Sequence, residues 1–176
     1  MEKNYKELLN KIPTFFFVFD GVLTNSTIFF FEGGNLFRNM SVRDGFAIKT
    51  AVENGYRVAV ISGGTSDAVR SRLNMLGVTD VYLRIHDKIE TFKTYCDMYQ
   101  LDPQEILYMG DDLPDMEVMK LVGLSTAPQD ADSEVLKIAK YISHKNGGEG
   151  CVRDVIEQVL RVQGKWSIEN AHTKFG

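Results

Sequence analysis

Cysteine is scarce in this chain. Only Cys96 and Cys151 occur among 176 residues, far apart and outside any CxxC or Cys/His spacing. That excludes a disulfide framework and a thiolate zinc site, and it makes a reducing cytoplasm the expected compartment. Long apolar runs are missing as well. The most apolar stretch, Phe15 to Phe19, is far shorter than the roughly 20 residues needed to span a bilayer. Residues 1–11 mix charged and apolar positions and lack the apolar core and cleavage site of a signal peptide, so neither a membrane anchor nor secretion is expected. A basic footprint is also absent. Lys and Arg number 20 against 24 Asp and Glu, a net charge of −4 with no Lys/Arg run, which argues against nucleic-acid or anionic-membrane binding. There is no repeat, linker or low-complexity segment, and the length suits one domain, 1–176, with one core.

What is present is an alternation of short apolar β-type runs with amphipathic helical stretches, the pattern of a parallel sheet covered by helices. Phe15 to Phe19, Arg57 to Ile61, Asp80 to Leu83 and Ile106 to Met109 read as strands, with short edge strands at Gly123 to Thr126 and Tyr141–Ile142. Between them Gly45 to Asn54, with Asp44 as N-cap, Ser66 to Leu76, Lys88 to Tyr99, Met116 to Val122 and Ala131 to Ala139 read as helices. One segment breaks the rhythm. Thr27 to Phe31 and Asn35 to Arg38 flank Glu32-Gly33-Gly34 and read as an inserted β-hairpin over about 27–38. A two-stranded ribbon is marginal alone, and its aromatics do not alternate cleanly, so it is expected to be a lid or a subunit contact.

In open α/β sheets ligands bind beyond the carboxyl ends of the strands. Asp20 follows the first strand, Ser62-Gly63-Gly64 the second, Lys88 the third by a few residues, and Asp111 and Asp112 the fourth, with Asp115 three residues on. Carboxylates from two strands suit Mg²⁺, which takes oxygen ligands; a Ser hydroxyl, backbone N–H groups and a Lys suit a phosphate. Singly, each is ordinary: Asp-Gly is a common turn, acids favour helix N-termini, and a lysine opening a helix is usually on the surface. Together, in order and each at the end of its own strand, they point to phosphoryl chemistry at one rim. His86, His144 and His172 have no partner spacing and are expected to lie in loops or on the surface.

The four loops Asp20-Gly21-Val22-Leu23-Thr24, Ile61-Ser62-Gly63-Gly64, Asp87-Lys88 and Gly110-Asp111-Asp112-Leu113-Pro114-Asp115 resemble, in order, the four motifs of the haloacid dehalogenase superfamily of phosphohydrolases. More narrowly, the hairpin, the stretch Val42 to Lys49 and the tail from Gly147 to Arg153 resemble the small, capless 3-deoxy-D-manno-octulosonate 8-phosphate (Kdo 8-phosphate) phosphatases. The resemblance covers roughly Thr14 to Val159. It implies a Rossmann-like α/β fold with no cap domain and a Mg²⁺-dependent, two-step hydrolysis through an aspartyl-phosphate. Carried over, it makes Asp20 the acid/base and assigns Ser62, Gly63 and Lys88 to the phosphoryl group. Mg²⁺ falls to Asp20 and Asp111, with Asp112 and Asp115 in support. It further implies a cytoplasmic homotetramer joined through the hairpin, a tail (about 147–176) approaching a neighbouring subunit's site, and a sugar-phosphate substrate of lipopolysaccharide synthesis.

The family pattern Asp-x-Asp-Gly-Val-x-Thr reads here as Val18-Phe19-Asp20-Gly21-Val22-Leu23-Thr24, which places Val18 where the attacking carboxylate belongs. Val has no lone pair to attack phosphorus, and it removes a direct metal ligand. Gly64 stands where related enzymes often carry a charged side chain that helps choose the sugar, and Glu149 stands in a tail that tends to be basic. Three readings follow: a phosphatase disabled by Val18, a non-catalytic phosphate-binding or regulatory homologue, or an active enzyme altered at this position.

Overall fold

A computed structural model describes residues 4–64 and 66–167. Six strands, β1 (Thr14–Val18), β4 (Arg57–Ile61), β5 (Asp80–Tyr82), β6 (Ile106–Met109), β7 (Leu124–Ala127) and β8 (Tyr141–Ile142), form one all-parallel sheet in the order β5-β4-β1-β6-β7-β8. β1 lies in the middle, in register with β4 from Thr14↔Arg57 to Val18↔Ile61 and with β6 from Thr14↔Ile106 to Phe17↔Met109. A strand hydrogen-bonded on both edges and covered on both faces has no polar side to show, which is why Thr14–Val18 is an unbroken buried run. Phe16 packs edge-on against Phe92 and Tyr95 and stacks on Tyr108, so the strand is locked to its neighbours by aromatic contacts.

The covering helices are α2 (Val42–Glu53), α3 (Asp67–Met75), α4 (Lys88–Tyr99), α5 (Met116–Leu121), α6 (Ser133–Ile138) and α7 (Cys151–Val162), with a short α1 (Tyr5–Leu8) before the sheet. α2 packs on α7, while α5 packs on both α4 and α6. The expected strands and helices are present to within a few residues, with three differences. β7 is not an edge strand: β8 pairs with it outside, and all four of its residues are buried. The tail contains α7, whose buried Val152, Val155, Ile156 and Val159 fall at i, i+3, i+4 and i+7 and form a helical stripe. The third concerns Asp44. Ser41, not Asp44, caps α2, its side chain accepting from the N–H groups of Arg43 and Asp44. Asp44 lies within the first turn, fully buried, and its Oδ1 accepts from the N–H of Arg153 at 2.8 Å, so it caps α7 across the helix pair.

The inserted hairpin is a separate two-stranded sheet, β2 (Phe29–Phe30) and β3 (Leu36–Phe37), paired Phe29↔Phe37 and Phe30↔Leu36. It projects instead of folding onto the core. Phe30 is 82% exposed, and Phe29, Phe31, Leu36 and Phe37 are exposed with it. Among the described residues no helix is long and apolar enough to cross a membrane.

Candidate active site at the carboxyl edge of the sheet

The chain leaves β1 toward β4 and β5, then returns to build β6, β7 and β8 on the other side, so the strand order reverses between β1 and β6, the place where sheets of this kind bind ligands. The loop after β1 is a tight turn closed by the N–H of Thr24 donating to the carbonyl of Phe19 at 3.1 Å and the N–H of Gly21 donating to Thr24 Oγ1 at 3.2 Å. Gly21 has φ +88°, and a Cβ there would fall 1.8 Å from Asp111 Oδ2. Only glycine lets the β6 loop's carboxylate lie against the β1 loop's backbone. The tail presses from outside. A Cβ on Gly147 would come within 2.0 Å of the Gly21 carbonyl oxygen, and the N–H of Gly148 donates to the carbonyl of Val22 at 2.9 Å.

Asp115 organises the β6 side. It is fully buried and accepts four hydrogen bonds: Oδ1 from Lys88 Nζ at 2.6 Å and the Tyr108 hydroxyl at 3.0 Å, Oδ2 from the N–H groups of Asp111 at 3.0 Å and Asp112 at 3.2 Å. One carboxylate thus fixes both the lysine that opens α4 and the backbone of the acidic loop, and none of its oxygens is left for a cation. Asp112 is exposed and forms a reciprocal cap with Asp115 over the next helical turn. Asp111 is half-buried against Gly21 of the β1 loop. Burial, then the charge of Asp115, pushes its carboxyl up to about 7, opposed by Lys88.

On the other side, Ser62 ends β4 nearly buried, and its Oγ accepts from the N–H of Gly64 at 3.1 Å. The loops after β4 and β5 brace one another, Ile85 N–H donating to the Ser62 carbonyl and Arg84 N–H to the Gly64 carbonyl, each at 3.0 Å. Asp20 Oδ1 accepts from Arg38 Nε at 2.7 Å. The structure therefore brings Asp20, Ser62, Lys88, Asp111 and Asp115 to one rim, with Gly63 in the turn between Ser62 and Gly64 and Val18 buried at the end of β1. His86 and His144 lie exposed, His86 two residues before Lys88 in the loop after β5; His172 is outside the described residues. Sequence reading missed Arg38, whose one signal was its place where the hairpin re-enters the rim, and Tyr108, hidden inside a strand.

A divalent cation does not fit these side chains as they stand. Val18 offers no oxygen, Asp20 is paired with Arg38, and Asp115 is saturated by donors. Among the described residues no three His, Cys, Asp or Glu side chains are grouped to hold a metal.

A doubly wound parallel sheet with these four loops at its carboxyl edge defines a haloacid dehalogenase-like hydrolase, and the family model of that description matches residues 75–156. The relatives are narrower. The Kdo 8-phosphate phosphatases of Salmonella typhi and Escherichia coli K12 are each 36% identical over 146 residues, 83% of this chain and 78% of theirs. The chain belongs to the family of 3-deoxy-D-manno-octulosonate 8-phosphate phosphatases. Among solved structures, the Yersinia pestis phosphatase superposes with a TM-score of 0.90 at 32% identity, covering 94% of this chain and 89% of that one. The Moraxella catarrhalis phosphatase, in complex with magnesium, phosphate and Kdo, gives 0.91 at 25% identity over 98% and 100% of the two chains. A cobalt-bound form from Haemophilus influenzae gives 0.88 at 27% identity over 95% and 99%.

Proposed function

We propose that this protein binds a sugar phosphate of the Kdo 8-phosphate kind at the carboxyl edge of its sheet and, with Val18 in the attacking position, hydrolyses it feebly or not at all. The observation that carries the reading is the meeting of Asp20, Ser62 and the Asp115-held Lys88 at the ends of neighbouring strands beside a buried, chemically inert Val18. Ser62 Oγ, the Gly63 N–H and the Lys88 ammonium supply the donors for a phosphoryl group, and Asp20 supplies the acid/base. A carboxylate at position 18, with Asp111 and the Asp20 main-chain carbonyl, would complete an oxygen set of the kind Mg²⁺ accepts together with water, with Asp112 and Asp115 ordering the loop. The exposed Phe29, Phe30, Phe31, Leu36 and Phe37 support the hairpin as the contact of a homotetramer. Sedimentation of the Phe30→Asp variant checks this, with a fall in mass expected.

The catalytic test is phosphate release from Kdo 8-phosphate with and without Mg²⁺, for the chain as it stands and for Val18→Asp. Loss of a nucleophile from a cooperating set costs on the order of 10⁴-fold or more, so Val18→Asp is expected to gain at least about 10³-fold and to require Mg²⁺. Turnover above ~1 s⁻¹ by the unaltered chain would overturn the assignment of position 18. An inert Val18→Asp favours the second reading, a phosphate-binding or regulatory homologue, whose support is that the phosphate-binding residues persist where the nucleophile does not.

A further inference from the structure

We infer that Arg38 is a phosphate-binding residue of this rim and lets it recognise a phosphoryl dianion without a divalent cation. This deepens the sugar-phosphate reading above and rests on it. Arg38 follows β3, where the hairpin returns to the rim, and its side chain is only 9% exposed. Among the described residues its one hydrogen bond is from Nε to Asp20 Oδ1. Neither terminal nitrogen has a hydrogen-bond partner among the described residues.

The absence of a side chain at Gly64 gives those nitrogens room. The point a Cβ would occupy there lies 3.1 Å from Arg38 Nη2, 3.5 Å from Asp20 Oδ2 and 3.6 Å from Ser62 Oγ. One small volume is therefore bounded by a guanidinium, a hydroxyl and a carboxylate drawn from three separate segments. Charge gives the reason an anion belongs there. Lys88 shares its charge with Asp115 at 2.6 Å, and the side chains of this rim do not gather a metal, so the guanidinium adds a second cation beside the Lys88 ammonium. A guanidinium presents a planar fork that matches two phosphate oxygens, and such charge-assisted bidentate bonds are the strong ones. Asp20 then acts as the anion that Arg38 holds when no ligand is bound, in direct competition with phosphate.

That competition makes the test two-sided. Calorimetric titration with inorganic phosphate in EDTA is expected to show binding by the unaltered chain. Arg38→Ala is expected to weaken it at least about tenfold, and Asp20→Asn, which frees the guanidinium, to tighten it. A merely structural role for Arg38 would make both variants bind more weakly. Binding that is absent in EDTA, that appears only with Mg²⁺, that ignores Arg38→Ala, or that weakens in Asp20→Asn overturns the proposal. If it falls while Val18→Asp still hydrolyses Kdo 8-phosphate, the sugar-phosphate reading stands and only the role of Arg38 is lost.

Discussion

Asp44 offers a quantitative test of how the two helices beside the site are joined. Its carboxyl is fully buried between α2 and α7. Oδ1 accepts from the N–H of Arg153 at 2.8 Å, while Oδ2 has no partner. Burial pushes its pKa from 3.8 up to about 6, against the pull of the backbone N–H groups at the start of α7 and the Arg153 charge. The folded chain thus holds this proton more tightly than the unfolded chain, so stability is greatest at low pH and falls as pH rises through the window from 3.8 to about 6. At 1.36 kcal/mol per unit the full span is about 3 kcal/mol, of which about 2 kcal/mol is lost between about pH 4.5 and about pH 7.5. Asp44→Asn keeps an oxygen to cap α7 and removes the titration. Urea denaturation of both proteins across that range is expected to show the unaltered chain losing about 2 kcal/mol relative to the variant as pH rises. Parallel curves, or an unaltered chain that gains on the variant with pH, would refute the argument that this carboxyl is ionised against its environment.

Two further substitutions probe the rim. Gly21→Ala forces a left-handed φ on an L residue and drives a methyl into Asp111, so a loss of about 2–4 kcal/mol in urea denaturation is expected. Lys88→Met leaves Asp115 buried with its cation gone but three donors still in place. The expected cost is about 3 kcal/mol, at the low end for a broken buried pair, whereas Tyr108→Phe, which removes one neutral donor, is expected to cost about 1–2 kcal/mol, both read as shifts in urea midpoint.

Much of this protein was legible along the chain because it is encoded locally. All six sheet strands are legible as short runs along the chain, and Lys88–Tyr99 is bounded correctly by its periodicity, with Asp87 capping it in the structure. α7 carried the same kind of signal in Val152, Val155, Ile156 and Val159, but the glycines before it drew the segment into a tail. The misplaced cap of α2 shows the limit of such rules. Ser41 and Asp44 are both capping residues, and only the packing of α7 decides which of them turns inward.

The sequence by itself determined the alternation of strand and helix and the order of four polar loops at strand ends, since each is a property of neighbouring residues. Tertiary structure alone decided the partnerships. Arg38 meets Asp20 across 18 residues, Lys88 meets Asp115 across 27, and Asp44 meets Arg153 across 109. No periodicity links such positions. They are joined because a parallel sheet lays the ends of distant strands side by side, and a buried charge there must find its partner wherever the fold supplies one.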